Sequence, residues 1–600
     1  MEGEPKDDTI IPSGVQPYWV RFEPDLQGAV HLCSVRKIKM IFRRTFAAIA
    51  TLIMFMVTLP SAVYAGLIEQ LGVCPSAMSL GNAVTAYPEG CGAMAVHYNP
   101  ASLSALGSRF DNALGFTMSK RTVQFTQAVD PETGKLWAPF GGWFNEGIDP
   151  LGGTEGELQS GYFVVPIIDY EIPYLFLAGM GISYKPPGVK SNWTFGTAQY
   201  APYGAGLKHH SGDPISYLGQ KAFFLRLVIA APSVAYKLSD TMSVGVSVGL
   251  GLTLFSFGTN MRTPNTMVAL TGALGEATEG LEIPIISELT LPPPWFNGGM
   301  TPYEKAGSLE LIVEDYFTTS YNLGFLWEPT PWFAFGACYQ SESETTMEGD
   351  YKFTYGHEFQ RTVAWLGKSP LTLITAGMFD LPFQSVPYQK GTASVTMTWP
   401  ARIQLGVKIR PIKQVTFTCD ANWTDWEAWP ELKIDFDQKI QLFRFARLMG
   451  YAGGPKSMVV PWGFENTWHF SYGLEIKPID KIALRLGYEP RPTSVPDDKF
   501  GPMPINDMEI FSAGIGIVVE DHPKPKPHGM HGLMKQIQHP TAVDINVSYV
   551  NIHDKHVGYN ESTNLNSTDF TKIVYNPYAG LEWDQEYSIW IFQLNQVFRW

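Results

Sequence analysis

Cysteine is scarce in this 600-residue chain, and the five it has, Cys33, Cys74, Cys91, Cys338 and Cys419, never fall into a C-x-x-C spacing. A zinc ribbon and a thioredoxin-type redox site are thereby excluded. Charge is scarce as well: only 17% of residues are charged, and the net charge is −14. A surface built to hold a phosphate backbone needs the opposite balance, so nucleic acid is not a partner. Long apolar runs are also missing. After Ala65 no stretch approaches the roughly 20 apolar residues that a spanning helix requires. What remains is a chain with 45% hydrophobic and 13% aromatic residues, ample for a large core or a large barrel.

The stretch VGVSVGLGLTL, residues 244–254, shows how these residues are deployed. Val244, Val246, Val248, Leu250, Leu252 and Leu254 fall on one face of a period-two pattern, and Gly245, Ser247, Gly249, Gly251 and Thr253 on the other. Branched hydrocarbon opposite an almost bare face fits a strand with lipid on one side and a crowded interior on the other. The same alternation sets Ile403, Leu405, Val407 and Ile409 against Arg402, Gln404, Gly406, Lys408 and Arg410. It recurs over 468–477 and 481–489.

Connections alternate in length. Short turns occur at 237–241, 328–332, 410–414 and 477–481, and long loops are expected at about 185–219, 259–314, 351–391, 428–462 and 553–585. Short turns on one rim and long loops on the other describe an outer-membrane barrel. The chain closes on EYSIWIFQLNQVFRW, with Trp590, Phe592, Leu594, Phe598 and Trp600 on one face. Candidate strands near 110, 160, 173, 220, 240, 315, 331, 392, 413, 463, 480, 508, 540 and 586 number about fourteen, an even count as single-chain bacterial barrels require. The fold class expected is all-β, a transmembrane antiparallel barrel.

Residues 40–65 read as a signal peptide: basic residues precede the apolar run Phe46–Leu59, and Val63-Tyr64-Ala65 is an acceptable cleavage site, so Gly66 is expected to begin the mature chain. Residues 1–39 fit no such pattern and are read as an extension or an early-called start. The segment 66–108, rich in Gly, Ala and Ser and ahead of the first strand, reads as a hatch that plugs the lumen; 109–600 is the barrel. If the hatch meets an oxidising compartment, Cys74 and Cys91 can form a local disulfide.

SLGNAVTA at 79–86 and HYNPASLSAL at 97–106 resemble the amino-terminal hatch of the FadL family of outer-membrane transporters of long-chain fatty acids, together with its toluene and aromatic-hydrocarbon branch. The likeness continues at 233–250, 321–341, 416–429 and 483–497. The resemblance implies a fourteen-strand barrel in the bacterial outer membrane, with passive transport of a hydrophobic small molecule through a lumen pocket and out by a lateral opening into the bilayer. Long-chain fatty acids lead and aromatic or alkane hydrocarbons are the alternative; the longer loops at 259–314 and 351–391 depart from the pattern and bear on that choice. Outer-membrane lipid, lipopolysaccharide and the barrel assembly machinery are the other expected partners, with no cofactor.

Candidate site residues follow. Asn99, Pro100 and Ala101 are the gate of the hatch, or simply a turn with Asn99 accepting a local backbone bond. Trp295, Phe296, Phe379 and Phe383, with Leu291, Leu311, Trp365 and Leu381, are candidates for an outer capture surface, or loop packing. Arg402, Lys408 and Arg485 either hold a carboxylate or join an ion network with Asp420, Glu475 and Glu489, which a polar barrel interior favours. GVSVG at 245–249 matches the lipase nucleophile elbow, but the strand pattern runs through Ser247 where that elbow needs a turn. No catalytic residue is assigned. His209-His210 and the pair His528 and His531 lack a spaced third ligand, so no metal site is assigned either.

Overall fold

The structure is a computed structural model that describes residues 69, 73–139, 148–186, 192–264, 266–277, 301–368, 370–447, 451, 453–496, 506–519, 541–562 and 576–599. The expected extension, signal peptide and Gly66 boundary, together with Leu291, Trp295, Phe296, His528, His531 and Trp600, lie outside the described residues. No described helix is long and apolar enough to cross a membrane.

Fourteen antiparallel strands close on themselves. In chain order they are β1 (Arg109–Gln127), β2 (Glu155–Gly161 and Phe176–Tyr184), β3 (Trp193–His209), β4 (Lys221–Ala230 and Ser233–Lys237), β5 (Met242–Met261), β6 (Gly307–Thr330) and β7 (Phe333–Gln340 and Ser343–Tyr355). They continue as β8 (Tyr388–Trp399 and Arg402–Ile412), β9 (Val415–Thr424 and Glu431–Phe436), β10 (Ser457–Pro461 and Thr467–Ile479), β11 (Ile482–Arg491), β12 (Met508–Val518), β13 (Ala542–Val557) and β14 (Leu581–Arg599). Each pairs with the next, and β1 meets β14 over its whole length, from Arg109 opposite Arg599 to Gln127 opposite Leu581. Closure of β1 on β14 leaves no free edge strand, which is the condition for strands to stand in lipid.

Alternation along the strands sorts the side chains as expected. Val246 and Val248 are exposed on the outer face, as are Leu405, Ile409, Trp468, Leu486, Trp590 and Leu594, while Arg402, Gln404, Lys408 and Glu489 are buried inside. Two features of the wall differ from the sequence reading. Residues 185–219 are not one long loop, because β3 runs through them. The candidate strands near 160 and 173 are two halves of one strand, β2, so the count of fourteen stands while its members change. The remaining long loops are also shorter than expected, since β5 extends to Met261 and β6 begins at Gly307.

Val73 to Ser104 lie inside this ring, all buried except Glu89. The segment carries only short turns of helix, Pro75–Met78, Pro88–Gly90, Gly92–Val96 and Pro100–Ala105. Small residues let it approach the wall closely, and the wall accommodates it with bare positions. A Cβ on Gly245 of β5 would fall on the backbone of Pro100 and Ala101, and one on Gly487 of β11 on the backbone of Leu80 and Gly81. The bare face of 244–254 thus meets the inner segment at Gly245, while Gly249 and Gly251 lie against the neighbouring strands.

Candidate functional site

The inner segment is pinned by polar contacts to strands around the ring. Asn99 is extended and caps the turn that follows: its Oδ1 accepts from Ala101 N (3.0 Å), and its Nδ2 donates to the carbonyls of Thr85 (2.8 Å) and Phe325 (2.9 Å). One side chain thus joins two turns of the segment to β6. Pro100 occupies the first helical position, where its missing N–H costs nothing. On the opposite side, Asn82 Nδ2 donates to Glu489 Oε2 (2.9 Å), Thr85 N to Asp420 Oδ2 (2.9 Å) and Tyr87 OH to Glu475 Oε1 (2.6 Å). Cys74 Sγ approaches the carbonyl of Cys91 at 3.5 Å, and both thiols are free.

Of the predicted cations, Arg485 bridges Glu475 (2.9 Å) and Asp544 (2.6 Å), and Lys408 pairs with Glu328 (2.7 Å). Arg402 sits 3.4 Å from Glu69, in a buried cluster where Arg491 and His469 both reach Glu489, at 2.9 and 3.0 Å. All three cations thus face carboxylates of the protein itself. Phe379 and Phe383 are exposed, alongside Leu373, Ile374 and Met378, on the outer loop that follows β7. That loop is built from two helices, His357–Leu366 and Pro370–Met378, and Trp365 and Leu381 pack its small core with Leu366 and Ala376. Leu311 points inward from β6 and belongs to the barrel interior.

On the loop side of the inner segment the lumen is aromatic. Trp399, Trp426, Trp429 and Trp462 stack edge to face or tilted, with Trp429 at 5.5, 5.0 and 5.5 Å from the other three. Tyr203, Phe224, Phe255 and Phe464 extend the cluster. Two polar features stand out against this apolar lining. The indole N–H groups of Trp426 and Trp462 are buried with no acceptor among the described residues. Arg226 of β4, only 5% exposed, places its guanidinium 6.0 Å from the Trp399 ring centre and has no carboxylate partner among the described residues. Sequence reasoning passed over Arg226, although a charge in the middle of KAFFLRLVIA, among apolar residues, is the signal to look for in a spanning strand.

Beside this chamber the wall is broken. Upper β2 pairs with β1 only at Glu155–Glu157, and lower β2 rejoins β1 at Phe176, so Met118–Arg121 have no ladder partner in β2 among the described residues. On its other side, β2 pairs with β3 at 158–161 and again at 180–184, and the ladder lapses between. Leu177, Ala205, Tyr587 and Ile589, all part-buried against the chamber lining, stand around the break. Ser247, in contrast, sits in mid-strand, 2.8 Å from Ser233 Oγ, with no strand-to-helix turn beside it.

A closed barrel of fourteen strands with an apolar lumen and an inner amino-terminal segment defines a transport channel of the outer membrane. The chain belongs to the outer membrane protein transport protein family (OMPP1/FadL/TodX), whose sequence pattern matches residues 73–524. Among solved structures, a Pseudomonas aeruginosa FadL homologue is similar at 14% identity, with a TM-score of 0.58, covering 88% of this chain and 99% of that one. The Pseudomonas putida toluene transporter TodX is similar at 14% identity with a TM-score of 0.52, over 88% of this chain and 99% of that one. No curated protein matches by sequence. The family carries hydrophobic substrates across the outer membrane.

Proposed function

We propose that the protein takes up long-chain fatty acids passively. Exposed Leu373, Ile374, Met378, Phe379 and Phe383 capture the molecule outside, the tryptophan chamber holds it, and the break beside β2 releases it sideways into the bilayer. Arg226 carries the choice of a carboxylate over a plain hydrocarbon. A buried cation without a counter-ion is costly by several kcal/mol. A fatty-acid carboxylate supplies both a counter-charge and an acceptor for the indole N–H groups of Trp426 and Trp462, which have none among the described residues, while its chain gains about 0.8 kcal/mol per methylene on leaving water. Arg402, Lys408 and Arg485 already face carboxylates of the protein, so on this reading they tie the inner segment and the wall together and do not contact cargo. The hydrocarbon alternative keeps the same route without the Arg226 contact. The inner segment acts as the hatch, with Asn99-Pro100-Ala101 setting where it yields, and the mature chain begins at Gly66. Lipid and lipopolysaccharide surround the wall, and the barrel assembly machinery inserts it.

Tryptophan fluorescence of the purified protein tests the reading. Oleate added below its micelle concentration is expected to quench the chamber tryptophans saturably, with toluene far weaker. Equal, non-saturating responses to both would reject a carboxylate site.

A further inference from the structure

Between Gly161 and Phe176 the chain of β2 leaves the wall. Its two ends stay together, since Gly161 packs on Leu175 and Thr117 N donates to Leu175 O at 3.1 Å. The excursion itself is a hairpin, Phe163–Val165 paired with Tyr170–Ile172, turning through Ile167 and Asp169 at positive φ. It lies on the outside of the barrel. Tyr162 and Val164 pack on Phe223, Leu225 and Leu254, whose strand neighbours Phe224 and Phe255 point into the chamber. These outward positions of β4 and β5 are thus covered by the protein's own chain where lipid would be expected.

Polar contacts fasten the hairpin there. Glu171 lies between two cations of the wall, Lys208 of β3 at 2.6 Å and Lys221 of β4 at 2.9 Å, with the three side chains 19–36% exposed. Tyr162 OH donates to Ser256 Oγ at 3.2 Å, and Ile167 N donates to Glu314 Oε1 of β6 at 3.2 Å. The tip residues Ile167, Ile168, Tyr170 and Tyr174 face away from the wall and are exposed. The break in the β1–β2 and β2–β3 ladders falls where these residues are withdrawn.

We propose that Glu171 is a positioning residue for cargo exit: bridged by Lys208 and Lys221, it straps the hairpin to the outside of the wall, keeps residues 162–175 out of the β2 ladder, and so holds the side opening. The inference rests on the reading that cargo leaves through this break. Loss of the bridge lets the hairpin detach and the excursion slip back toward the ladder, narrowing the slit without altering the chamber.

Three variants test it: Glu171→Gln, Glu171→Lys, and the charge reversal Glu171→Lys with Lys208→Glu and Lys221→Glu. Two measurements are made on each. Spin labels at the exposed positions Tyr170→Cys and Ile229→Cys report whether the hairpin stays on the wall, independently of any transport. Uptake of labelled oleate is compared with equilibrium binding of oleate to the purified protein. The expected result is a longer and broader label distance in both single variants, and uptake lowered about threefold to tenfold in Glu171→Gln, the shift that partly exposed ion pairs support. Binding stays at the parent level, and the reversed triple variant recovers both distance and uptake. An unchanged label distance, uptake at or above the parent rate in Glu171→Gln, or a triple variant that folds without recovering would each overturn the proposal. A parent protein that moves no oleate would instead reject the fatty-acid reading, while the label distances still decide the strap.

Discussion

Arg226 stands over Trp399, its guanidinium 6.0 Å from the ring centre, in a barrel whose buried Arg402, Arg485 and Arg491 lie within ion-pair distance of carboxylates. A cation over an indole face gains about 0.5 to 2 kcal/mol, which falls short of the cost of burying the charge. The shortfall is what a carboxylate ligand would make good. Arg226→Gln is therefore expected to weaken oleate binding by about 1.5 to 3 kcal/mol, the worth of hydrogen bonds to a charged group. Toluene or hexadecane binding should hardly respond. Isothermal titration of both ligands measures the difference, and equal losses would assign Arg226 to structure alone.

The contact between Gly245 and the Pro100–Ala101 backbone predicts that this wall position tolerates no side chain. Gly245→Val forces the inner segment to move, at an overpacking cost of about 1 to 3 kcal/mol. The barrel should still resist SDS until boiled, because its ladders are untouched. Protease added from the short-turn side should now cut the inner segment. A cleavage pattern identical to the parent's would mean that the segment is held by its polar pins alone.

Among the outer loops, Asp149 and Arg262 form two charge-assisted hydrogen bonds of 2.7 and 2.8 Å with both side chains fully buried, and Arg262 also donates to Pro577 O at 2.7 Å. Three loops meet at this guanidinium. Asp149→Asn removes one partner of a buried pair and should cost about 3 to 5 kcal/mol. Because the loss falls on the loops, the expected sign is earlier proteolysis of the outer rim on heating, with little change in the temperature at which the barrel itself opens. Parent-like loop proteolysis would contradict it.

Asp380, at positive φ after the helix Pro370–Met378, accepts from Lys439 (2.7 Å) and Arg444 (3.0 Å) on the neighbouring loop. The Lys439 hydrogen bond, outweighing a burial effect of opposite sign and helped by the Arg444 charge, holds its carboxyl below the usual range. A depressed folded pKa means a contribution that is complete above the ordinary carboxylate pKa and is lost as pH falls through the lowered value. The anisotropy of a fluorophore at Phe383→Cys should therefore hold from neutral pH through the ordinary carboxylate range and drop only below it. In Asp380→Asn it should be low throughout; a drop at the ordinary carboxylate range in the parent would refute the clamp.

Much of this architecture was legible because lipid imposes a strict period of two. Strands such as β8 and β10, with lipid outside and a wet lumen inside, announce themselves through rows like Ile403, Leu405 and Ile409. The strand that escaped notice, β3, lacks such a row in its upper half. There the sequence AQYAPYGAGLKH is small and polar, and the hairpin covers the neighbouring outer face in place of lipid. The same hairpin splits β2 in sequence and made it read as two strands. Lumen chemistry was less legible, because a charge on an inward face looks alike whether its partner is a protein carboxylate or a ligand. Arg402, Lys408 and Arg485 stood out through their dyads, yet their carboxylate neighbours lie on other strands or, for Glu69, on the inner segment, and only the fold brings them together.

The central claim, passive uptake of a hydrophobic carboxylate, is tested most directly by uptake of labelled oleate into cells of a strain lacking its own fatty-acid channel, with and without this protein in the outer membrane. The account predicts saturable oleate uptake that requires the protein, competes with other long-chain fatty acids and is lowered by Arg226→Gln. Oleate uptake no faster than in cells without the protein, alongside accelerated entry of toluene, would contradict it and leave the hydrocarbon reading in its place.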